Sequence, residues 1–161
     1  MKILFLCTHN ACRSILSEVI TRNLAGDQIE VSSAGSHPAG EVHPQTLLHL
    51  KRRGYPTAHL TSKGLDAVAD FAPDAVITVC DQAAQESCPV WLGSAVKAHW
   101  GLADPTRVAS SATAMDSVFD IVMATIEART QRLLAEMDQG MSRTQFTGLL
   151  QRIGEENHGS I

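Results

Sequence analysis

Cys7 and Arg13 bracket the run Cys7-Thr8-His9-Asn10-Ala11-Cys12-Arg13-Ser14, and this pairing suits a nucleophile that works on an anion. A thiolate attacks, and a guanidinium grips two oxygens of one anion through its planar fork. The six backbone N–H groups from Thr8 to Arg13 can turn inward around one point, a concavity that fits a tetrahedral oxyanion. Thr8, His9, Asn10, Ala11, Cys12 and Arg13 are therefore the expected oxyanion-binding residues. Ser14 follows the arginine, where its hydroxyl can donate to the Cys7 sulfur, favouring the thiolate and easing its later departure. A lone cysteine at a strand end more often packs as a small buried hydrophobe. Here the arginine at the sixth following position and the serine next to it favour chemistry. Asn10 is expected to fix the loop's shape by side-chain bonds to its own backbone, since asparagine tolerates unusual dihedrals.

Such a loop needs a strand before it and a helix after it. The apolar run Ile3-Leu4-Phe5-Leu6 reads as a buried parallel strand, and residues 14–25 read as a helix with Ile15, Leu16, Val19, Ile20 and Leu24 on one face. That helix adds its unpaired first-turn donors and positive dipole end to the loop, and Gly26 closes it. A second strand is expected over 28–32, then a turn-rich segment over 33–40 and a helix from Pro44 to Gly54. Further strands are expected over 74–79 and 96–100, and a long amphipathic helix over 112–137. Residues 142–156 add a terminal helix with Phe146, Leu149, Leu150 and Ile153 as its apolar stripe, to which packing is the role assigned.

This β-α alternation predicts an α/β fold: a doubly wound, parallel, four-stranded sheet in three layers, with helices on both faces. Ligands of such sheets sit beyond the strands' C-terminal ends. Cys7, Cys80 and Asp104 each follow a predicted strand, so three distant segments converge on one edge. Asp104 precedes Pro105, a pair that also makes turns; its placement after a strand, in a chain with this loop, favours a role at the site.

Length and composition set the outer bounds. The chain has 161 residues, 44% of them hydrophobic, and a net charge of −4, which predicts a single globular catalytic domain over 1–161 with 138–161 as a C-terminal extension. No basic run exceeds Lys51-Arg52-Arg53, so nucleic-acid binding is not expected. No apolar stretch approaches the ~18 residues of a membrane span, and the start reaches Cys7 too soon for a secretory signal. The expectation is a cytoplasmic, soluble monomer.

The chain has four cysteines, and in a reducing compartment such residues are more often catalytic or metal-binding than structural disulfides. Cys80 and Cys88 are separated by seven residues, 81–87, and neither this pair nor Cys7 with Cys12 has the spacing of a zinc site, so no metal is expected. If 81–87 were helical, Cys80 and Cys88 would lie about 12 Å apart along its axis. Pairing them then requires that segment to unwind or loop. Cys12 has two readings, packing or a protective disulfide with Cys7.

Taken together, Cys7 to Ser14, Ser33-Ala34-Gly35, Val79-Cys80 with Cys88-Pro89, and His99-Trp100-Gly101-Leu102-Ala103-Asp104-Pro105 resemble the thioredoxin-coupled arsenate reductases, a family built on the low-molecular-weight protein tyrosine phosphatase fold. The resemblance implies that arsenate, in competition with phosphate or sulfate, occupies the cradle. Cys7 would attack arsenic and Asp104 would protonate the departing oxygen. Cys80 would then attack Cys7, releasing arsenite, and Cys88 would attack Cys80, carrying the disulfide outward for reduction by thioredoxin. Arg13 and Ser14 complete the implied catalytic set, with no bound cofactor.

Some members bind potassium through residues matching Asn10, Glu18, Ser33 and Thr61 plus an acidic residue where this chain has Lys63; an ammonium there opposes a cation. The interval between Cys80 and Cys88 is one residue longer than in the best-known members. The alternative within the same fold is a phosphotyrosine phosphatase, but Thr106-Arg107-Val108 follow Asp-Pro in place of the aromatic residues that sandwich a phosphotyrosine ring. A third reading is a non-catalytic oxyanion or thiol sensor.

Overall fold

The computed structural model describes residues 1–85, 92–107 and 111–156. Its sheet has four parallel strands in the order β2-β1-β3-β4: β1 (Lys2–Cys7), β2 (Glu30–Gly35), β3 (Ala75–Thr78) and β4 (Val96–His99). Helices α1 (Arg13–Ala25), α2 (Pro44–Arg52), α3 (Asp81–Gln85), α4 (Ala112–Glu136) and α5 (Arg143–Glu155) stand between or after them. The expected doubly wound α/β architecture is present.

Local chemistry explains most boundaries. Gly26 takes a φ of +56° to close α1, a conformation open to glycine. Pro44 opens α2 behind His43, whose Nδ1 accepts the Gln45 N–H. Ser142 and Gln145 cap α5 reciprocally. The second strand lies further along than expected. Gly26–Gln28 form a 3-10 turn, and Ser33, Ala34 and Gly35 continue the ladder opposite Phe5, Leu6 and Cys7. Small residues carry little strand signal of their own, and the long partner strand recruits them.

Alternation along β1 divides the core. Ile3 and Phe5 join Ile77, Trp100 and the apolar face of α5, while Leu4 and Leu6 join Val76 beneath Val68, Leu92 and Ala95 on the opposite face. Each fully buried Ile or Phe contributes about 1.5–3 kcal/mol. A third cluster joins α1, α2 and α4 through Ile15, Leu16, Leu50, Phe119 and Met123.

The C-terminal helix packs as its apolar stripe foretold, with Phe146, Leu149, Leu150 and Ile153 buried. The buried Trp100 indole N–H donates to the Leu150 carbonyl at 2.9 Å. Gly154 lets α5 approach the end of β4, because a Cβ there would overlap the His99 carbonyl and lie 2.8 Å from Trp100 Cδ1. Gly154→Val is therefore expected to lift α5 and destabilise the protein by about 1–3 kcal/mol, read as a lower urea midpoint. An unchanged midpoint would remove this account of α5 docking.

Candidate active site

Between Cys7 and Arg13 the chain makes a tight loop in which Asn10 takes a φ of +49°. Its backbone N–H donates to Cys7 Sγ at 3.2 Å, and Ser14 Oγ lies 2.8 Å from the same sulfur. Gly35, opposite Cys7 in the ladder, admits this loop: a Cβ there would fall 2.6 Å from the Thr8 carbonyl oxygen and 2.9 Å from the Asn10 nitrogen. The capping position of α1 is Cys12, which makes no side-chain capping bond, so first-turn donors remain free for an anion.

The Asn10 side chain corrects the expectation that it bonds its own backbone. The Lys63 N–H, which can only donate, meets Oδ1 at 2.9 Å and thereby fixes the amide's orientation. Nδ2 then donates to Ser14 Oγ at 2.8 Å and to Ser33 Oγ at 2.9 Å. Each hydroxyl receives one hydrogen and directs its own onward, Ser14 to the Cys7 sulfur and Ser33 to Glu18 Oε1 at 2.8 Å. Glu18 is buried, with Arg22 NH1 3.2 Å from Oε2 and Lys63 Nζ 3.3 Å from Oε1.

Arg13 joins this loop to the one after β4. NH1 donates to the Leu102 carbonyl at 3.3 Å, and NH2 lies 3.7 Å from Asp104 Oδ2. The two carboxylate oxygens of Asp104 have different partners. Oδ1 makes the turn, accepting from the Thr106 N–H at 3.0 Å and its hydroxyl at 2.6 Å, while Oδ2 faces Arg13 and Arg107. Cys7, Cys12, Arg13 and Asp104 line one cavity of about 410 Å³, with His9 and Ala11 also on its wall. His43 and Arg107 line it too. The sequence reading gave His43 no role and noted Arg107 only as non-aromatic; the cue available was their position beside Pro44 and Asp104-Pro105.

Thr8 turns toward another strand end. Its hydroxyl lies 3.5 Å from Cys80 Sγ, which also accepts the Ala83 N–H at 3.4 Å. Cys7, Cys12 and Cys80 are buried, unpaired thiols. Cys88 lies outside the described residues. Cys12 packs against the cluster between α1, α2 and α4, where burial pushes its thiol up from 9.0 to about 12, opposed by a hydrogen bond from Thr46.

Two predictions follow from these environments. The Cys12 value is raised in the folded state, so its stabilising contribution is fully present below the ordinary 9.0 and is lost as pH climbs toward 12. In urea titrations between pH 8 and 10.5, wild type should lose more stability per pH unit than Cys12→Ala, by up to about 1.4 kcal/mol; parallel pH profiles would show that Cys12 ionises equally in both states. At the positions that match the potassium site of some family members, the Lys63 ammonium contacts Glu18 Oε1 at 3.3 Å, a charge that opposes a cation. Thermal midpoints in potassium and sodium chloride at equal ionic strength should coincide, and selective stabilisation by potassium would contradict this.

The low molecular weight phosphotyrosine protein phosphatase family matches residues 2–143. Arsenate reductase 1 of Staphylococcus epidermidis is 34% identical over 81% of this chain and 96% of its own length. The arsenate reductase of Bacillus subtilis is 35% identical over 65% of this chain and 74% of its own length. Among solved structures, an arsenate reductase in the phosphate-binding state superposes with a TM-score of 0.68 at 27% identity, covering 85% of this chain and 98% of that one. A thioredoxin-dependent arsenate reductase of Corynebacterium glutamicum gives 0.63 at 30% identity, covering 83% and 60%. With the cradle loop, its arginine and the acid after β4 all inside the matched span, the chain belongs to the low molecular weight phosphotyrosine protein phosphatase family, and within it to the group of the arsenate reductases.

Proposed function

We propose that this protein reduces arsenate to arsenite by a relay of three thiols and is reset by thioredoxin. The observation that carries the reading is the second buried thiol: Cys80 sits beside Thr8, the residue next to Cys7, at 3.5 Å from its hydroxyl. Phosphoester hydrolysis needs no such group, and the two curated relatives named above are arsenate reductases.

In the first step arsenate rests against the loop N–H groups and the Arg13 fork, and the Cys7 thiolate attacks arsenic. A sulfur–arsenic bond forms, an arsenic–oxygen bond breaks, and Asp104 supplies the proton with which that oxygen leaves as water. The Ser14 hydroxyl and the Asn10 N–H hold the sulfur in the geometry of attack. Cys80, as thiolate, then attacks the Cys7 sulfur. The sulfur–arsenic pair passes to arsenic, which leaves as arsenite in the trivalent state, while the two thiols lose two electrons to a disulfide. Cys88 attacks Cys80 and frees Cys7, and the dithiol of thioredoxin reduces the Cys80–Cys88 disulfide. We further infer a single catalytic domain, since α5 packs onto the end of β4 through Trp100, and propose that it acts as a monomer. Among the described residues no helix is long and apolar enough to cross a membrane.

The test couples NADPH oxidation to arsenate through thioredoxin reductase and thioredoxin. Wild type should turn over, Cys7→Ser and Cys80→Ser should release no arsenite, and Cys88→Ser should complete a single slow turnover. Sustained cycling without Cys88 would sink the relay, and activity only with glutaredoxin would replace the donor. Efficient hydrolysis of phosphotyrosine peptides by the Cys80→Ser/Cys88→Ser double variant would instead establish the phosphatase reading.

A further inference from the structure

The imidazole of His99, the last residue of β4, is held on three sides. Thr78 Oγ1 lies 2.8 Å from Nδ1 and Asp81 Oδ1 lies 3.2 Å from Nε2. The Gly101 backbone leaves room for the ring, because a Cβ there would stand 2.9 Å from Nε2. A carboxylate only accepts, so Nε2 carries the hydrogen and donates it to Asp81; in the neutral ring Nδ1 then accepts the Thr78 hydroxyl.

These partners have a common meaning in the chain. Thr78 comes two residues before Cys80 and Asp81 comes directly after it. One ring therefore bridges the side chains on both sides of the buried thiol. His99 does not line the cavity that holds Cys7, Arg13 and Asp104. Its contacts are spent on the turn from β3 into α3, the turn that aims Cys80 Sγ toward the Thr8 hydroxyl at 3.5 Å.

We propose that His99 is a positioning residue for Cys80: by bridging Thr78 and Asp81 it fixes the direction from which the second thiol approaches Cys7. The inference rests on the reading of Cys80 as the resolving thiol. The step it serves is the formation of the Cys7–Cys80 sulfur–sulfur bond, with the electron pair passing to arsenic as arsenite leaves. A displaced thiolate can still attack, but less often in line with the breaking bond. Asp81 is largely exposed, so it can be replaced without opening the core, and an asparagine in its place keeps an acceptor for Nε2.

The experiment uses full-length protein carrying Cys88→Ser, so that the first disulfide accumulates, and follows the Cys7–Cys80 cross-link by quenched alkylation and peptide mass mapping. One arm supplies a single equivalent of arsenate. The other supplies diamide, which takes up the two electrons and two protons itself and needs no arsenate chemistry. His99→Phe and Asp81→Ala should slow the cross-link about tenfold in both arms, Asp81→Asn should stay near the parent, and phosphate affinity at the cradle should be the same in all. Gly101→Ala, which evicts the ring by a route that leaves His99 in the chain, should reproduce His99→Phe.

Unchanged cross-linking in the diamide arm overturns the proposal, as does a loss of phosphate affinity that parallels the loss of rate. Slowing in the diamide arm, with no arsenate-driven cross-link even in the parent, keeps the role of His99 and removes the arsenate reading.

Discussion

The orientation of one amide governs the polar floor of the site. The Lys63 backbone N–H fixes Asn10 Oδ1, so both hydrogens of the amide point at serine hydroxyls. Their remaining hydrogens must go to the Cys7 sulfur on one side and to Glu18 on the other. The left-handed backbone of Asn10 places its N–H against that sulfur. Strain in a non-glycine residue of this kind persists only where surrounding contacts hold it, and here three side-chain bonds and the close passage of Gly35 do so. Lys63 and Arg22 balance the Glu18 charge that ends the network, as a buried carboxylate requires.

The topology decides what meets this floor. With β1 central between β2 and β3, the chain reverses direction across the sheet at the end of β1, and a crevice opens there. Cys7 stands at one lip and Cys80 at the other, while the loop after β4 folds back so that Arg13 reaches the Leu102 carbonyl and Asp104. The two oxygens of Asp104 divide their work: one builds the Thr106 turn and the other faces the guanidinium. The arginine of the loop and a candidate acid are thus held by the same segment. Whatever orders that segment sets both.

The end of β4 is therefore the second centre of the molecule. Trp100 anchors it to α5 through Leu150, His99 ties it to both sides of Cys80, and Asp104 follows five residues after His99. A buried arginine of α4, Arg129, donates to the Gly101 carbonyl at 3.2 Å. Burial pulls its guanidinium down to about 10, a cost that the protein bears while holding the carbonyl next to the one that Arg13 holds. The terminal helix supports this end by packing.

Much of this was written locally. The apolar run before Cys7, the arginine and serine that follow, the glycines and prolines that end helices, and the period of α1, α4 and α5 each depend on residues within one or two turns of each other, so sequence spacing reports them directly. It follows that the fold class, the cradle and the three strand ends that carry Cys7, Cys80 and Asp104 were legible in the sequence. The partners were not. Asn10 bonds Lys63 from 53 residues away, His99 bonds Asp81 across two strands, and His43 and Arg107 reach the cavity from separate loops. Donor and acceptor types are known from sequence, but which pairs meet depends on sheet order, register and the small clearances at Gly35, Gly101 and Gly154. Only the tertiary structure decides these, because a hydrogen bond is made or lost over less than an ångström.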